Sequence, residues 1–156
     1  MADNANVIRR FYEAFDRHDG ETMAQHYAPN VRFEDPAFGK LDGDEAGDMW
    51  RMLTERSDDL KVELAEHEAD GDRGSARWIA TYTFSTGRPV VNDIRARFQF
   101  RDGKIVDHRD SFNFHKWARQ ALGPPGLILG VPPLNLLVRR KALAQLKEYR
   151  AEHGRT

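Results

Sequence analysis

The stretch Lys104–Phe114, KIVDHRDSFNF, decides how this chain is read. Taken as a strand it alternates, with Val106, His108, Asp110, Phe112 and Phe114 on one face and Ile105, Asp107, Arg109, Ser111 and Asn113 on the other. The second face suits water. The first is apolar except for an imidazole and a carboxylate two residues apart. Burying a carboxylate costs several kcal/mol, on the order of a stabilising core contact or more, unless it is paired or protonated. The pair therefore needs a reason to be there.

Working backwards, the same period of two recurs in three earlier stretches. LKVELAEHEADG sets Leu60, Val62 and Leu64 against Lys61 and Glu63, and SARWIATYTFSTG sets Trp78, Ala80, Tyr82 and Phe84 against Arg77, Thr81 and Thr83. PVVNDIRARFQF sets Asn92, Ile94, Ala96, Phe98 and Phe100 against Asp93, Arg95, Arg97 and Gln99, and RDG supplies a turn into the last strand. Four alternating strands in succession predict an antiparallel sheet with one buried and one wet face.

Before Asp58 the pattern is mostly helical. Val7, Ile8, Phe11, Tyr12 and Phe15 follow the i, i+3, i+4, i+7 stripe, with Asp3 or Asn4 as cap. A short second helix carries Met23 and Tyr27, and APN ends it. VRFEDPAFG reads as a short strand with Val31, Phe33 and Asp35 on one face until Pro36 stops the ladder. LDGDEAGDMWRMLTER is a third helix, capped by Asp42 with Glu45 three residues on. After Lys116 the chain turns unusual: GPPGLILGVPPLNLL mixes proline and glycine breaks with large aliphatics, and a basic helix from about Leu134 to Glu152 follows. That segment is expected to lie over something apolar, such as a cavity mouth, a neighbouring subunit or the end of the sheet.

The predicted architecture is α+β: a cone-shaped, curved antiparallel sheet around three N-terminal helices, with a C-terminal helical extension. Residues 1–115 form the α+β barrel, and 116–156 a hydrophobic loop and helix packed on the same domain. With 156 residues, 40% hydrophobic and 31% charged, the chain has the composition of a globular protein. A net charge of −1 gives no overall field to gather nucleic acid or an anionic membrane, and the basic last turns, diluted by Glu148 and Glu152, read as a solvated face. The absence of cysteine excludes disulfides and thiolate chemistry. The opening MADNANVIRRFYEAF lacks the apolar core of a secretory signal, and no run reaches a membrane span, so a cytoplasmic protein is expected.

The YAPNVRFEDP and FQFRDGKIVDHRDSF blocks, within roughly Ile8–Phe114, resemble the SnoaL-like, polyketide cyclase-like branch of the nuclear-transport-factor-2-like superfamily. The resemblance implies a cystatin-like α+β barrel, a homodimer, and a pocket for a small hydrophobic molecule between helices and sheet. It also implies acid/base carboxylates or histidines on the late strands, where His108 and Asp110 stand, and no cofactor. Ketosteroid isomerases of the same superfamily carry a base aspartate in an EDP block, which Asp35 matches. Their oxyanion tyrosine falls on Phe11, with Tyr12 one step off, and their protonated aspartate on Ala96, so the chain is not read as one of them.

Asp110 is the principal acid/base candidate, with His108 as partner or oxygen donor and Asp35 at the rim. The bland alternatives are an ion pair between Asp110 and a neighbouring arginine, a satisfied core histidine, and ordinary Asp-Pro turn chemistry. Tyr12, Trp50, Trp78, Tyr82, Asn92 and Phe112 are expected to line a hollow for a flat, largely apolar ligand carrying one or two oxygens. The histidine spacings suit no metal site, and glycine-rich phosphate loops and nucleophile elbows are missing. Two functions remain: a cofactor-independent isomerase, cyclase, dehydratase or hydrolase, or a non-catalytic binding or interaction module.

Overall fold

Asp3 accepts hydrogen bonds from the backbone of Ala5 and Asn6 and starts α1, Asn4–Asp16, in this computed structural model, which describes residues 3–155. The stripe Val7, Ile8, Phe11, Tyr12 and Phe15 is buried as its spacing predicts. Asp19 caps α2, Gly20–Gln25, through the backbone and hydroxyl of Thr22. Tyr27 does not end that helix as expected; it begins β1, Tyr27–Asp35. A further strand, β2 at Gly39–Asp42, folds back on β1. The third helix, α3, runs Asp44–Arg56 with Gly43 in the cap position, one residue later than a cap at Asp42 implies. Asp42 has been drawn into β2, and what survives of the capping box is its reciprocal half, the backbone N–H of Asp42 donating to Glu45 Oε1 at 3.2 Å.

The four alternating stretches become β3 (Lys61–Asp70), β4 (Arg73–Thr83), β5 (Pro89–Arg101) and β6 (Lys104–Ser111). Asp102 and Gly103, with φ of 52° and 77°, make the tight β5–β6 turn, a left-handed pair that Asp and Gly tolerate well. The curved sheet has the order β2-β1-β6-β5-β4-β3 and stays open, with β2 and β3 at its edges, so the expected barrel does not close. Nor is it wholly antiparallel, since β1 runs parallel to β6. The long connection from β1 to β6, through α3 and the β3–β5 meander, makes that parallel pairing possible.

A bulge corrects the phase of the opening stretch. Gln99 pairs with Asp107, but Phe100 pairs with Ile105, leaving Val106 as the extra residue. Ile105 therefore turns inward and is fully buried, while Val106 is only half-buried. From His108 onward the expected faces hold. The strand stops at Ser111, and Asn113 caps α4, Phe114–Leu122, by accepting from the Lys116 backbone. A short α5, Gly126–Leu129, and a long α6, Asn135–Glu152, complete the chain.

The core falls into two clusters. The larger gathers α1, α3 and the inner sheet face, with Leu146 and Tyr149 of α6. The smaller joins Val90 to Phe114, Trp117, Ala118 and Ala121 of α4. Ala37, Tyr82 and Phe112 pack against both and remain half-buried, which marks the seam between sheet and C-terminal cap. Gly126 lets α5 close on α4: a Cβ there would sit 2.1 Å from the Ala118 carbonyl oxygen. Asp48 of α3, fully buried, accepts from Arg51 at 2.8 Å and, across to α6 and the end of the chain, from Arg150 at 3.0 Å and Arg155 at 2.7 Å. No helix among the described residues is long and apolar enough to cross a membrane.

Candidate active site

Parallel pairing of β1 with β6 sets Phe33 beside His108, and antiparallel pairing of β5 sets Phe98 on its other side. Both rings face inward by the period-two rule, so His108 lies between them, with the Phe98 ring 4.4 Å and the Phe33 ring 5.1 Å away, centroid to centroid. Phe11 of α1 and Trp50 of α3 close the cage from the helical side, Trp50 stacked at 6.1 Å. The imidazole has no solvent exposure.

Three hydrogen bonds run through that cage. The Trp50 indole N–H donates to the Tyr27 hydroxyl at 2.7 Å, the Tyr27 oxygen lies 2.7 Å from His108 Nδ1, and His108 Nε2 lies 2.9 Å from Asp110 Oδ1. Their direction follows from the donors available. An indole can only donate, so Tyr27 accepts from Trp50 and passes its own proton to Nδ1. Nε2 then carries the hydrogen and donates to the carboxylate, a tautomer assigned from the network. Asp110 is buried, and its Oδ2 accepts no hydrogen bond among the described residues. No arginine locks it; its partner is the histidine.

Asp35 ends β1 on the same inward face. Its Oδ1 accepts from the Phe38 backbone at 2.6 Å, so it does the turn chemistry of an Asp-Pro step as well as facing the site. Burial lifts its pKa from the ordinary carboxylate range to about 7; the Phe38 bond opposes the rise and the Asp110 charge adds to it. Arg139 of α6 acts from outside, donating to the Pro36 carbonyl at 3.2 Å and moderating the shift. The Tyr82 hydroxyl, in electrostatic reach of Asp35, accepts from the Trp117 indole at 2.8 Å, which anchors α4 to the sheet. Burial raises the Tyr82 pKa, and the Trp117 bond offsets part of the rise.

The remaining expected residues divide. Tyr12, Trp50 and Trp78 do not border an open hollow; they pack on one another and on Phe11 and Phe15, with Tyr12 and Trp78 at 5.4 Å and Trp50 and Trp78 at 6.3 Å. Aromatic side chains fill the volume between helices and sheet because each strand contributes large inward residues. Tyr82 and Phe112 sit at the seam, and Asn92 is buried opposite Ala80. Two clefts, of about 700 and 620 Å³, lie instead on the outer sheet face, lined by charged side chains such as Glu66, Arg77, Arg95 and Arg97 in the first and Asp70, Arg73 and Arg97 in the second.

Among the buried donors that find no protein partner, the Tyr12 hydroxyl and the Trp78 indole N–H belong to the aromatic cluster between helices and sheet. Burial, and then the Asp110 charge, raises the Tyr12 pKa well above its ordinary value. Sequence reasoning missed Tyr27, Trp117 and Arg139. Tyr27 shares odd-numbered parity with Val31, Phe33 and Asp35, the one signal that could have placed it in the strand. Arg139 had none, since α6 reaches the Asp35 turn only through the tertiary fold.

The model of the SnoaL-like domain family matches residues 8–108. No curated protein matches the sequence. Among solved structures, an NTF2-like protein of unknown function from Burkholderia pseudomallei superposes with a TM-score of 0.67 at 21% identity, over 78% of this chain and 99% of that one. IdmH from Streptomyces antibioticus, provisionally assigned as a polyketide cyclase, gives 0.65 at 23% identity over 76% and 97%. An LEH-like epoxide hydrolase of M. tuberculosis gives 0.65 at 19% identity over 81% and 92%. At these identities the likeness is one of fold.

Proposed function

The chain belongs to the SnoaL-like domain family, and from that premise we propose that it is a cofactor-independent acid/base enzyme acting on a small hydrophobic, carbonyl-bearing or cyclic molecule. One observation carries the reading. Asp110 is a buried carboxylate with one oxygen held by His108 and the other unengaged, in electrostatic reach of a second carboxyl, Asp35, whose pKa is raised to about 7. Two carboxyls in environments this different suit separate roles, one taking a proton while the other gives one.

In this scheme Asp110 removes a proton from carbon next to a carbonyl. The C–H electron pair moves toward the carbonyl oxygen; substrate entry parts the packing of Tyr12 and Trp78, and the enolate oxygen takes hydrogen bonds from them, two buried donors without protein partners. His108 keeps its donor directed at Asp110 and so orients the base. Asp35, protonated through part of the neutral range, returns a proton on the other side of the substrate. Tyr82, Asn92 and Phe112 shape the entrance at the seam. Isomerisation, ring closure and dehydration all share this first step.

The test is exchange of α-hydrogens for deuterium in β-tetralone, followed by proton NMR. The native chain accelerates exchange and Asp110→Asn lowers the rate by about 10²-fold or more, the usual worth of a positioned base. Equal rates for the two proteins sink the assignment.

A second reading, a non-catalytic ligand-binding or interaction module, is favoured by the close packing of Tyr12, Trp50 and Trp78. It predicts that neither protein accelerates exchange although both bind β-tetralone.

A further inference from the structure

The near-neutral charge of the whole chain hides a separation. Residues 111–147 hold six lysines and arginines and no aspartate or glutamate, whereas the rest of the chain holds eighteen basic residues against twenty-five acidic. The same segment carries seven of the eight large hydrophobic side chains exposed on the described surface, all between Leu127 and Leu143. Ile128 on α5 is 61% exposed and Leu137 on α6 is 52% exposed.

These side chains are not a failed core. The inward needs of the cap are already met: Trp117, Ala118 and Ala121 pack with Val90 and Phe114, Val138 lies against them, and Leu146 and Tyr149 join the main core. The outward aliphatics are additional. On α6 they are interleaved with charge, because Leu136 and Leu137 stand one helical turn before the exposed Arg140 and Lys141, and Leu143 one turn before Lys147. On the adjoining α4, Lys116 and Arg119 are exposed as well. The result is a ridge of protruding aliphatics interleaved with cations, the first acidic residue along α6 being Glu148, after Lys147.

We propose that this cap docks on an anionic phospholipid surface, the aliphatics of α5 and α6 entering the headgroup boundary while Arg140, Lys141 and Lys147 meet the lipid phosphates. A second copy of the chain is the poorer occupant, since a self-complementary contact through this ridge sets cations against cations. Nucleic acid is poorer too, having no place for seven exposed aliphatics. The inference goes beyond the acid/base reading and does not depend on it.

The test is flotation of the full chain with phosphatidylcholine vesicles, with and without phosphatidylglycerol. The protein floats with the phosphatidylglycerol vesicles, stays behind with phosphatidylcholine alone, and is released by high salt. Arg140→Glu with Lys141→Glu weakens binding on the order of a hundredfold. Leu127→Glu with Ile128→Glu also abolishes flotation, and because both residues are exposed the melting temperature stays unchanged. Failure to float with phosphatidylglycerol vesicles overturns the proposal, as does equal binding to both lipids. A dimer in light scattering that Leu127→Glu with Ile128→Glu dissociates, without any flotation of the native chain, makes the ridge a self-interface and also overturns it.

Discussion

His108 and Asp110 are joined by a 2.9 Å hydrogen bond along the inner face of a single strand, and the imidazole's other nitrogen is held 2.7 Å from the hydroxyl of Tyr27 on the neighbouring parallel strand. The carboxylate is thus oriented by a histidine that is itself fixed from behind, with Trp50 at the far end of the relay. Removing a middle member leaves two buried polar groups unsatisfied, and such a site rigidifies its functional group only while the relay is complete.

Tyr27→Phe tests the relay without any substrate. It strands the Trp50 N–H and His108 Nδ1 in an aromatic cage, at about 1–3 kcal/mol for each unsatisfied group. Denaturant melts should show a loss in that range. In the native chain, nitrogen NMR of His108 should report hydrogen on Nε2 and none on Nδ1. The reverse tautomer refutes donation from Tyr27 to the imidazole.

Asp35 makes stability depend on pH. Its folded pKa, about 7, lies above the unfolded value of 3.8, so the folded state holds the proton more tightly. The protonated form favours folding at low pH, and that advantage is lost as pH rises from about 4 to about 7, then levels off. Asp35→Asn removes this contribution while keeping an oxygen for the Phe38 backbone. Relative to the native chain, the variant should gain several degrees in melting temperature at pH 8 compared with pH 5, since about 1 kcal/mol is worth roughly 2–4 °C at this size. A constant difference between the two proteins across that range refutes the raised pKa.

Asp48 fastens α6 to α3. Burial pushes its pKa up, but donations from Arg155 and Arg51 outweigh that and leave it below the ordinary carboxylate value. Its contribution is present above that ordinary value and lost on acidification through the lower folded one. Asp48→Ala removes the anion that Arg51, Arg150 and Arg155 share, while Arg51 keeps Glu21, at a cost of about 1–3 kcal/mol for the lost charge-assisted hydrogen bonds. Hydrogen exchange should quicken in α6 before it does in β5. Uniform acceleration across both elements contradicts the fastening role.

Gly126→Ala probes the docking of α5. The new methyl meets the Ala118 carbonyl carbon at 2.4 Å and its oxygen at 2.1 Å, backbone that cannot rotate away. The expected cost is about 1–3 kcal/mol, as for other overpacked sites, with fluorescence change in Trp117 rather than in the main aromatic core. An unchanged melting temperature shows that α5 does not pack tightly on α4.

The strands were legible because period-two alternation is a local property. Leu60, Val62, Trp78, Ala80, Ile94 and Phe98 are inward and buried as their spacing predicts. The bulge at Val106 was not, since it adds a residue on one strand only when a partner strand is there to count against. Tyr27 was misplaced for a related reason: the stop was read at Ala28-Pro29-Asn30, just after it, and the strand that claims Tyr27 is held by a pairing with β6 seventy-eight residues away, Tyr27 to Ile105.

His108 and Asp110 stood out by themselves, because two titratable side chains on an apolar face conflict with the cost of burial whatever the fold around them. The sequence alone therefore determined the first helix, the four long strands, their inward faces outside the β6 bulge, and the oddity that marks the site. Only the tertiary structure decided that β1 lies parallel to β6, that Tyr27 and Trp50 stand behind the histidine, that aromatic rings fill the interior, and that Arg139 reaches the Asp35 turn. Each of these joins residues distant in the chain, and no local periodicity encodes which distant neighbours a buried group will meet.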